Sequence, residues 1–101
     1  MLVRLWNYEV SYIFEWDPDK AAENLRSHKV SFEDATTAFG DPLALHMPDP
    51  DHSLLEERFL LLGLSHQLRL LVVSYMERGL RTRIISARKA TRHERSEYEE
   101  E

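Results

Sequence analysis

The chain has 101 residues, 43% of them hydrophobic and 31% charged, a formal net charge of -5 and no cysteine. That is the length of one domain with a modest core and the composition of a folded protein rather than a disordered or fibrous one. It leaves no residues for a disulfide scaffold, a thiolate nucleophile or a zinc-thiolate site.

No run approaches the ~20 apolar residues of a membrane-spanning helix, and the opening MLVRLWNYEVSYIFEW lacks the apolar core and small-residue cleavage site of a secretory signal. The expectation is a single cytoplasmic domain over residues 1–101 with no membrane association. Residues 1–10 read either as an extension of the first strand or as an N-terminal arm. SYIFEW (11–16) combines aromatic and β-branched residues, a strand signal that stops at Asp17-Pro18. Asp17 suits an N-cap and Pro18 the first helical position, where its missing N–H costs nothing. In DKAAENLRSH, Ala21, Ala22 and Leu25 form an apolar face at helical spacing, and Lys20, Asn24 and His28 form an adjoining stripe.

Ser31 and Asp34 have capping-box spacing, Phe32, Ala35 and Phe39 share a face, and Gly40 supplies a stop, which predicts a short second helix. LALHM (43–47) reads as a strand that PDPD must turn. RFLLLGLS (58–65), LRLLVVSYME (68–77) and LRTRIISAR (80–88) then follow, separated by His66-Gln67 and Arg78-Gly79. Two-residue gaps between these apolar runs predict a three-strand meander. Thr91 and Glu94 repeat the capping-box spacing and open a last helix, with Arg95 and Tyr98 along it. The pattern is β-α-α-β-β-β-β-α, an α+β domain with two N-terminal helices and a C-terminal helix packed on an antiparallel sheet.

Charge is unevenly spread. From Arg78 to Arg95 there are seven cations and one acid, Glu94, a local balance of +6; the rest of the chain holds six cations and seventeen acids, a balance of -11. A basic segment in an acidic protein reads as a patch for a polyanion or as a solvated surface. The histidines His28, His46, His52, His66 and His93 form no HxxxH pair, and neither Glu56-Glu57 nor the aspartates of PDPD complete a ligand set. No metal or other cofactor is expected.

Four stretches in order, FEWDPDKAAENLRSHKVSFEDATTAF, then DP followed later by EERF, then LLVVSY, then RTRIISARKATRHERSEYE, together resemble the BrnT family of bacterial toxins across residues 13–98. The resemblance implies a small RelE-like ribonuclease that cleaves messenger RNA and arrests growth. It also implies a cognate ribbon-helix-helix antitoxin (BrnA-like), a dimer or heterotetramer with it, and operator DNA binding by the complex. One departure stands out: where the family commonly has Lys-His-Gly, this chain has Ser27-His28-Lys29. Glycine there would adopt a positive φ freely, so Lys29 is expected to do so at a cost, or else to supply the cation missing at Ser27.

Metal-independent RNA cleavage needs the ribose 2′-OH deprotonated, the phosphorane stabilised and the leaving 5′-oxygen protonated. His28 is the first candidate for acid-base work, with Lys20 beside it to hold phosphate; the structural alternatives are a partly buried histidine bonded to a helix-end carbonyl and a solvated lysine. Arg58 is expected to brace phosphate while Glu57 orients it or acts as base, unless the two form an ion pair that caps the hairpin. Arg81 and Arg83 alternate on one strand face and repel unless an anion lies between them or each has a carboxylate. Arg88 and Lys89 end that strand just before a helix N-terminus, a place suited to phosphate. Lys29, Arg95 and Tyr98 complete the expected RNA contacts, Tyr98 reading equally as helix packing. A non-catalytic module that binds an antitoxin or nucleic acid through the same cations, and a subunit completed only by its partner, are the competing readings.

Overall fold

Asp17 and Pro18 set the point at which the chain leaves its first sheet strand. In the computed structural model, which describes residues 2–5, 8–51 and 57–100 and side chains from Tyr12 onward, β1 (Leu2–Leu5) and β2 (Tyr8–Ser11) pair antiparallel as a separate two-stranded sheet. β3 (Ile13–Glu15) then begins the main sheet. Asp17 accepts the Asp19 N–H at 2.8 Å, Pro18 opens α1 (Pro18–His28), and Ser31 accepts the Asp34 N–H at 3.0 Å at the start of α2 (Phe32–Thr37). A single 3-10 turn, Ala38–Gly40, follows α2. β4 (Leu45–Pro48), β5 (Arg58–Leu64), β6 (Leu70–Arg78) and β7 (Arg81–Lys89) come next, and α3 (Arg92–Glu99) ends the described chain.

The main sheet has five strands in the order β3-β7-β6-β5-β4. β4 to β7 are antiparallel neighbours, but β3 runs parallel to β7, Phe14 opposite Thr82, so the sheet is mixed rather than antiparallel as the sequence pattern suggested. The cause is α1. β3 borders β7 only at residues 81–83, and α1 continues in the same direction along the same edge until Asn24 meets Ala87. A strand and then a helix thus share one edge of β7, which fixes the strand as parallel.

Asn24 makes this possible. Its amide donates to Ala87 O at 2.8 Å and accepts from Ala87 N at 3.0 Å, as a neighbouring strand would, and its Nδ2 also reaches Val30 O at 2.9 Å. Asn24 is buried while Leu25, assigned to the apolar face by spacing alone, stays half exposed. Backbone groups at a covered sheet edge must be paired, and that requirement outweighs burying one leucine.

The core lies between the sheet and α1–α2. Phe32, Ala35 and Phe39 from the helical segment meet Leu61, Leu71, Val73, Tyr75, Ile84 and Ala87 from the strands. Gly63 allows the close approach of the 3-10 turn, since a Cβ there would stand 2.9 Å from the Ala38 carbonyl oxygen. On the opposite sheet face, α3 packs through Tyr98 and the preceding Ala90 onto Leu62, Leu70 and Val72. The Tyr98 hydroxyl donates to Asp41, which also accepts the Leu64 N–H at 2.8 Å.

Both hairpins differ from the sequence reading by a residue or more. β5 and β6 are joined by Ser65–Arg69, closed by the Ser65 N–H to Arg69 O bond at 2.9 Å. The β6–β7 loop is Gly79-Leu80, with Gly79 at φ 63°, the position where a two-residue hairpin favours glycine. Arg69 reaches back from the first of these loops to the Lys29 carbonyl and to buried Asp34, both at or below 2.9 Å, tying the α1–α2 corner to the sheet. Among the described residues no helix is long and apolar enough to cross a membrane.

Lys29 adopts φ 60°, ψ 30° as the C-cap of α1, the left-handed conformation anticipated for a position that is commonly glycine, and its Nζ donates to Arg26 O at 3.0 Å. Lys29→Gly is therefore expected to stabilise the fold by about 0.5–1 kcal/mol in urea unfolding. Asn24→Ala, which orphans three buried backbone groups, should destabilise it by roughly 2–4 kcal/mol in the same measurement.

Candidate active site

The wall of the site is a defect in β7. Ser86 pairs with Ser74 and Ile84 with Tyr75, so Ile85 has no counterpart on β6 and forms a bulge. The extra residue lets Ile84 and Ala87, three apart, both face the core, and it turns Ser86 and Arg88 to the face that α3 partly covers. Arg58, alternating with Leu60 and Leu62 along β5, lies on that same face.

Two cavities meet at the bulge. One, about 380 Å³, is bounded by Arg58, Ser74, Arg88, Glu94 and Asp49; the other, about 190 Å³, by Lys20, Asn24, Ser27 and His28 of α1. Ile85 and Ser86 border both. The Lys20–Asn24–His28 stripe thus runs along the outside of β7, with Asn24 bonded to the strand and the other two side chains free to face a ligand. Lys20 and His28 are exposed and have no hydrogen-bond or ion-pair partner among the described residues. His28 is not the buried, carbonyl-bonded histidine of the structural alternative; Lys29 Nζ serves the Arg26 carbonyl instead.

Arg88 differs from its sequence reading. Its Nη1 and Nη2 donate to Glu94 Oε1 and Oε2 at 2.8 and 2.9 Å, a bidentate pair. Glu94 also closes a full capping box, accepting the Thr91 N–H at 2.8 Å while Thr91 Oγ1 accepts the Glu94 N–H at 3.2 Å. The anion expected at the N-terminus of α3 is this carboxylate. The Arg88 guanidinium, and secondarily the Thr91 N–H, hold the Glu94 carboxyl down at about 2 against an ordinary 4.5, and the same contact raises Arg88.

The other candidates divide. Arg83 lies opposite Glu15 in the β3–β7 ladder and 3.7 Å from its carboxylate, so the charge expected to call for a phosphate has a carboxylate to meet it. Arg81 is exposed opposite Arg78, next to the Gly79-Leu80 loop. A nine-residue strand is roughly 26–30 Å long, so the basic run does not form one patch: Arg78, Arg81 and Arg83 gather at one end, Arg88, Lys89, Arg92 and Arg95 at the other. Lys89 and Arg95 are exposed and border neither cavity; Glu57, exposed just before β5, likewise borders neither. Lys29 is a helix cap, and Tyr98 is engaged in packing and in its bond to Asp41. Glu56 and His52 fall outside the described residues. Among the described residues there is no group of three or more His, Asp or Glu side chains placed to hold a metal ion.

Sequence reasoning missed Ile85, Ser86, Glu94 and the bonding role of Asn24. Glu94 was visible as the lone acid in a basic run, and the three-residue spacing of Ile84 and Ala87 marked the bulge. On the opposite face, His46 Nδ1 and the Tyr75 hydroxyl are 2.9 Å apart; burial lowers the His46 pKa and lifts Tyr75 to about 12.

The arrangement is that of a small α+β protein with an imidazole-bearing cleft across one sheet strand, lined by Arg58, Arg88 and Lys20 together with the carboxylates of Asp49, Asp51, Glu94 and Glu23. A family model described as ribonuclease toxin, BrnT, of type II toxin-antitoxin system matches residues 16–94. The crystal structure of the Brucella abortus ribonuclease toxin BrnT superposes with a TM-score of 0.63 at 21% identity, over 81% of this chain and 100% of that one, a likeness of fold. The comparison with curated protein sequences returns no match. The chain belongs to the BrnT family of ribonuclease toxins.

Because the folded-state pKa of Glu94 is depressed, its pairing stabilises the protein fully above pH 4.5 and progressively less as pH falls toward 2. Thermal unfolding between pH 5 and 2.5 should show this loss, and Glu94→Gln, which has no carboxylate to protonate, should show a shallower one.

Proposed function

We propose that this toxin is a metal-independent endoribonuclease whose single-stranded substrate crosses the bulge of β7, passing from the Arg58–Arg88 cavity to the Lys20–His28 cavity. The observation that carries the reading is that the two cavities share Ile85 and Ser86, with Lys20 and His28, which have no partner among the described residues, on one side and two guanidiniums on the other. A phosphodiester over Ser86 has a proton carrier on its α1 side and the guanidiniums of Arg58 and Arg88 on its sheet side, in a cavity that Asp49, Asp51 and Glu94 also line.

In this proposal His28 moves a proton between the 2′-OH or the leaving 5′-oxygen and solvent, while Lys20, Arg58 and Arg88 stabilise the charge that develops on the phosphorane. Attack of the 2′-oxygen on phosphorus forms one P–O bond as the P–O5′ bond breaks, giving a 2′,3′-cyclic phosphate and a 5′-hydroxyl. All atoms come from the substrate, and the protons travel through the side chains. Arg81 and Arg83 at one end of the strand, and Lys89 and Arg95 at the other, attract the flanking phosphates, an electrostatic contribution that salt should weaken; Lys29 acts as the cap of α1, and Tyr98 through packing and its bond to Asp41, rather than through RNA.

The family places an antitoxin beside the toxin. A ribbon-helix-helix antitoxin, a heterotetrameric complex that binds operator DNA, a cytoplasmic site of action and a RelE-like ancestry of the fold extend the same proposal.

Incubation of the purified chain with a long single-stranded RNA in EDTA tests it. Fragments are expected, with cleavage reduced at least about 100-fold by His28→Ala and roughly 10- to 100-fold by Arg88→Ala. Intact RNA that nevertheless stays bound would identify a binding module instead.

A further inference from the structure

An arginine has five N–H groups in one plane, and in Arg88 three of them are used within the protein. Nη1 donates to Glu94 Oε1 and, at 3.3 Å, to the Lys89 carbonyl; Nη2 donates to Glu94 Oε2. The two that remain, Nε–H and the second hydrogen of Nη2, lie together on the other edge of the guanidinium. Among the described residues nothing accepts from that edge, and Arg88 borders the cavity that Ser74, Ser86 and Arg58 share with the carboxylates of Asp49 and Asp51.

We propose that Glu94 is a positioning residue for RNA binding: it grips Arg88 by one edge so that the Nε–Nη2 edge is presented, already oriented, to a single RNA phosphate in that cavity. The proposal rests on the function proposed above and assigns a role to a residue that has none there.

Three features of the geometry support it. The carboxylate that does the gripping is itself fixed, because Thr91 N donates to it and Thr91 Oγ1 accepts from the backbone of Glu94. The side chain it holds would otherwise be long and mobile, so fixing it in advance removes an entropic cost from binding. Finally, an end-on pair leaves the side-on edge sterically open, so that the carboxylate and a phosphate occupy different edges of one guanidinium rather than compete for the same edge.

Glu94→Gln isolates the effect. Glutamine can keep the capping box through the oxygen that accepts from both Thr91 N and Arg88 Nη1, so α3 retains its start, but its NH2 then replaces Oε2 and cannot accept from Arg88 Nη2, which breaks the two-point grip. The probe is a fluorescent single-stranded 2′-O-methyl oligoribonucleotide, which has the phosphates but no nucleophilic 2′-hydroxyl, and the readout is its Kd for the full chain. Glu94→Gln and Arg88→Ala are each expected to weaken binding about 10-fold. The double variant should bind no more weakly than Arg88→Ala alone, since Glu94 acts only through that arginine. Arg88→Lys, which keeps the charge but lacks the second edge, should be as weak as Arg88→Ala.

Thermal unfolding establishes that each variant is folded. Unchanged or tighter binding by Glu94→Gln, alongside weaker binding by Arg88→Ala, would overturn the proposal and mark Glu94 as a competitor of phosphate. Additive losses in the double variant would also overturn it, because they trace the effect to the fold. A wild-type chain that binds the probe but cuts no RNA would instead defeat the nuclease reading and leave the clamp intact.

Discussion

The contact on which the rest of the structure depends is the amide of Asn24 against the backbone of Ala87. β7 is bordered by β3 for only three residues, and beyond them its outer N–H and C=O groups need partners that no further strand among the described residues supplies. Asn24 provides an acceptor and a donor in the geometry of a ladder pair. It does so from the middle of a helix, so the residues four before and four after it, Lys20 and His28, are held beside the same strand. A structural requirement, pairing a sheet edge, thereby decides where Lys20 and His28 stand in the cleft.

Charge in this molecule is spent more locally than its totals suggest. Arg69 is bonded to Asp34 and Lys29, Arg83 stands beside Glu15, Arg88 is clasped by Glu94, and His93 pairs with Glu97. These pairs differ in consequence: the Arg69 contact reaches a carboxylate almost removed from water, where loss of the partner is costly, whereas His93–Glu97 is exposed on α3 and contributes little. Lys20 and His28, which have no partner among the described residues, stand at α1, on the far side of the bulge from the paired Arg88.

Much of the fold was legible before any coordinates. The caps at Asp17, Ser31 and Thr91 are local chemistry, readable because a side chain bonds its own neighbours two or three residues on. The apolar runs of β5, β6 and β7 and the buried face of Phe32, Ala35 and Phe39 follow from spacing alone. What was not legible depends on residues far apart. The parallel placement of β3 and the inward turn of Asn24 both need Ala87, sixty-three positions away, and the Arg83–Glu15 contact needs a strand pairing that periodicity cannot announce. The site divides in the same way: His28 and Lys20 were found from a helical stripe, but Arg88's partner, six residues along, was visible only as a charge to be counted.

The bulge at Ile85 has one more implication, for how this sequence can change length. Removing a residue from a central strand ordinarily flips everything after it to the wrong face. Here the deletion of Ile85 would return the ladder to plain alternation, with Ala87 still against the core and Arg88 still outward. The sheet therefore carries, at the wall between its two cavities, a residue that its own architecture does not require. The β6–β7 pairing alone does not set the length of the strand at this point.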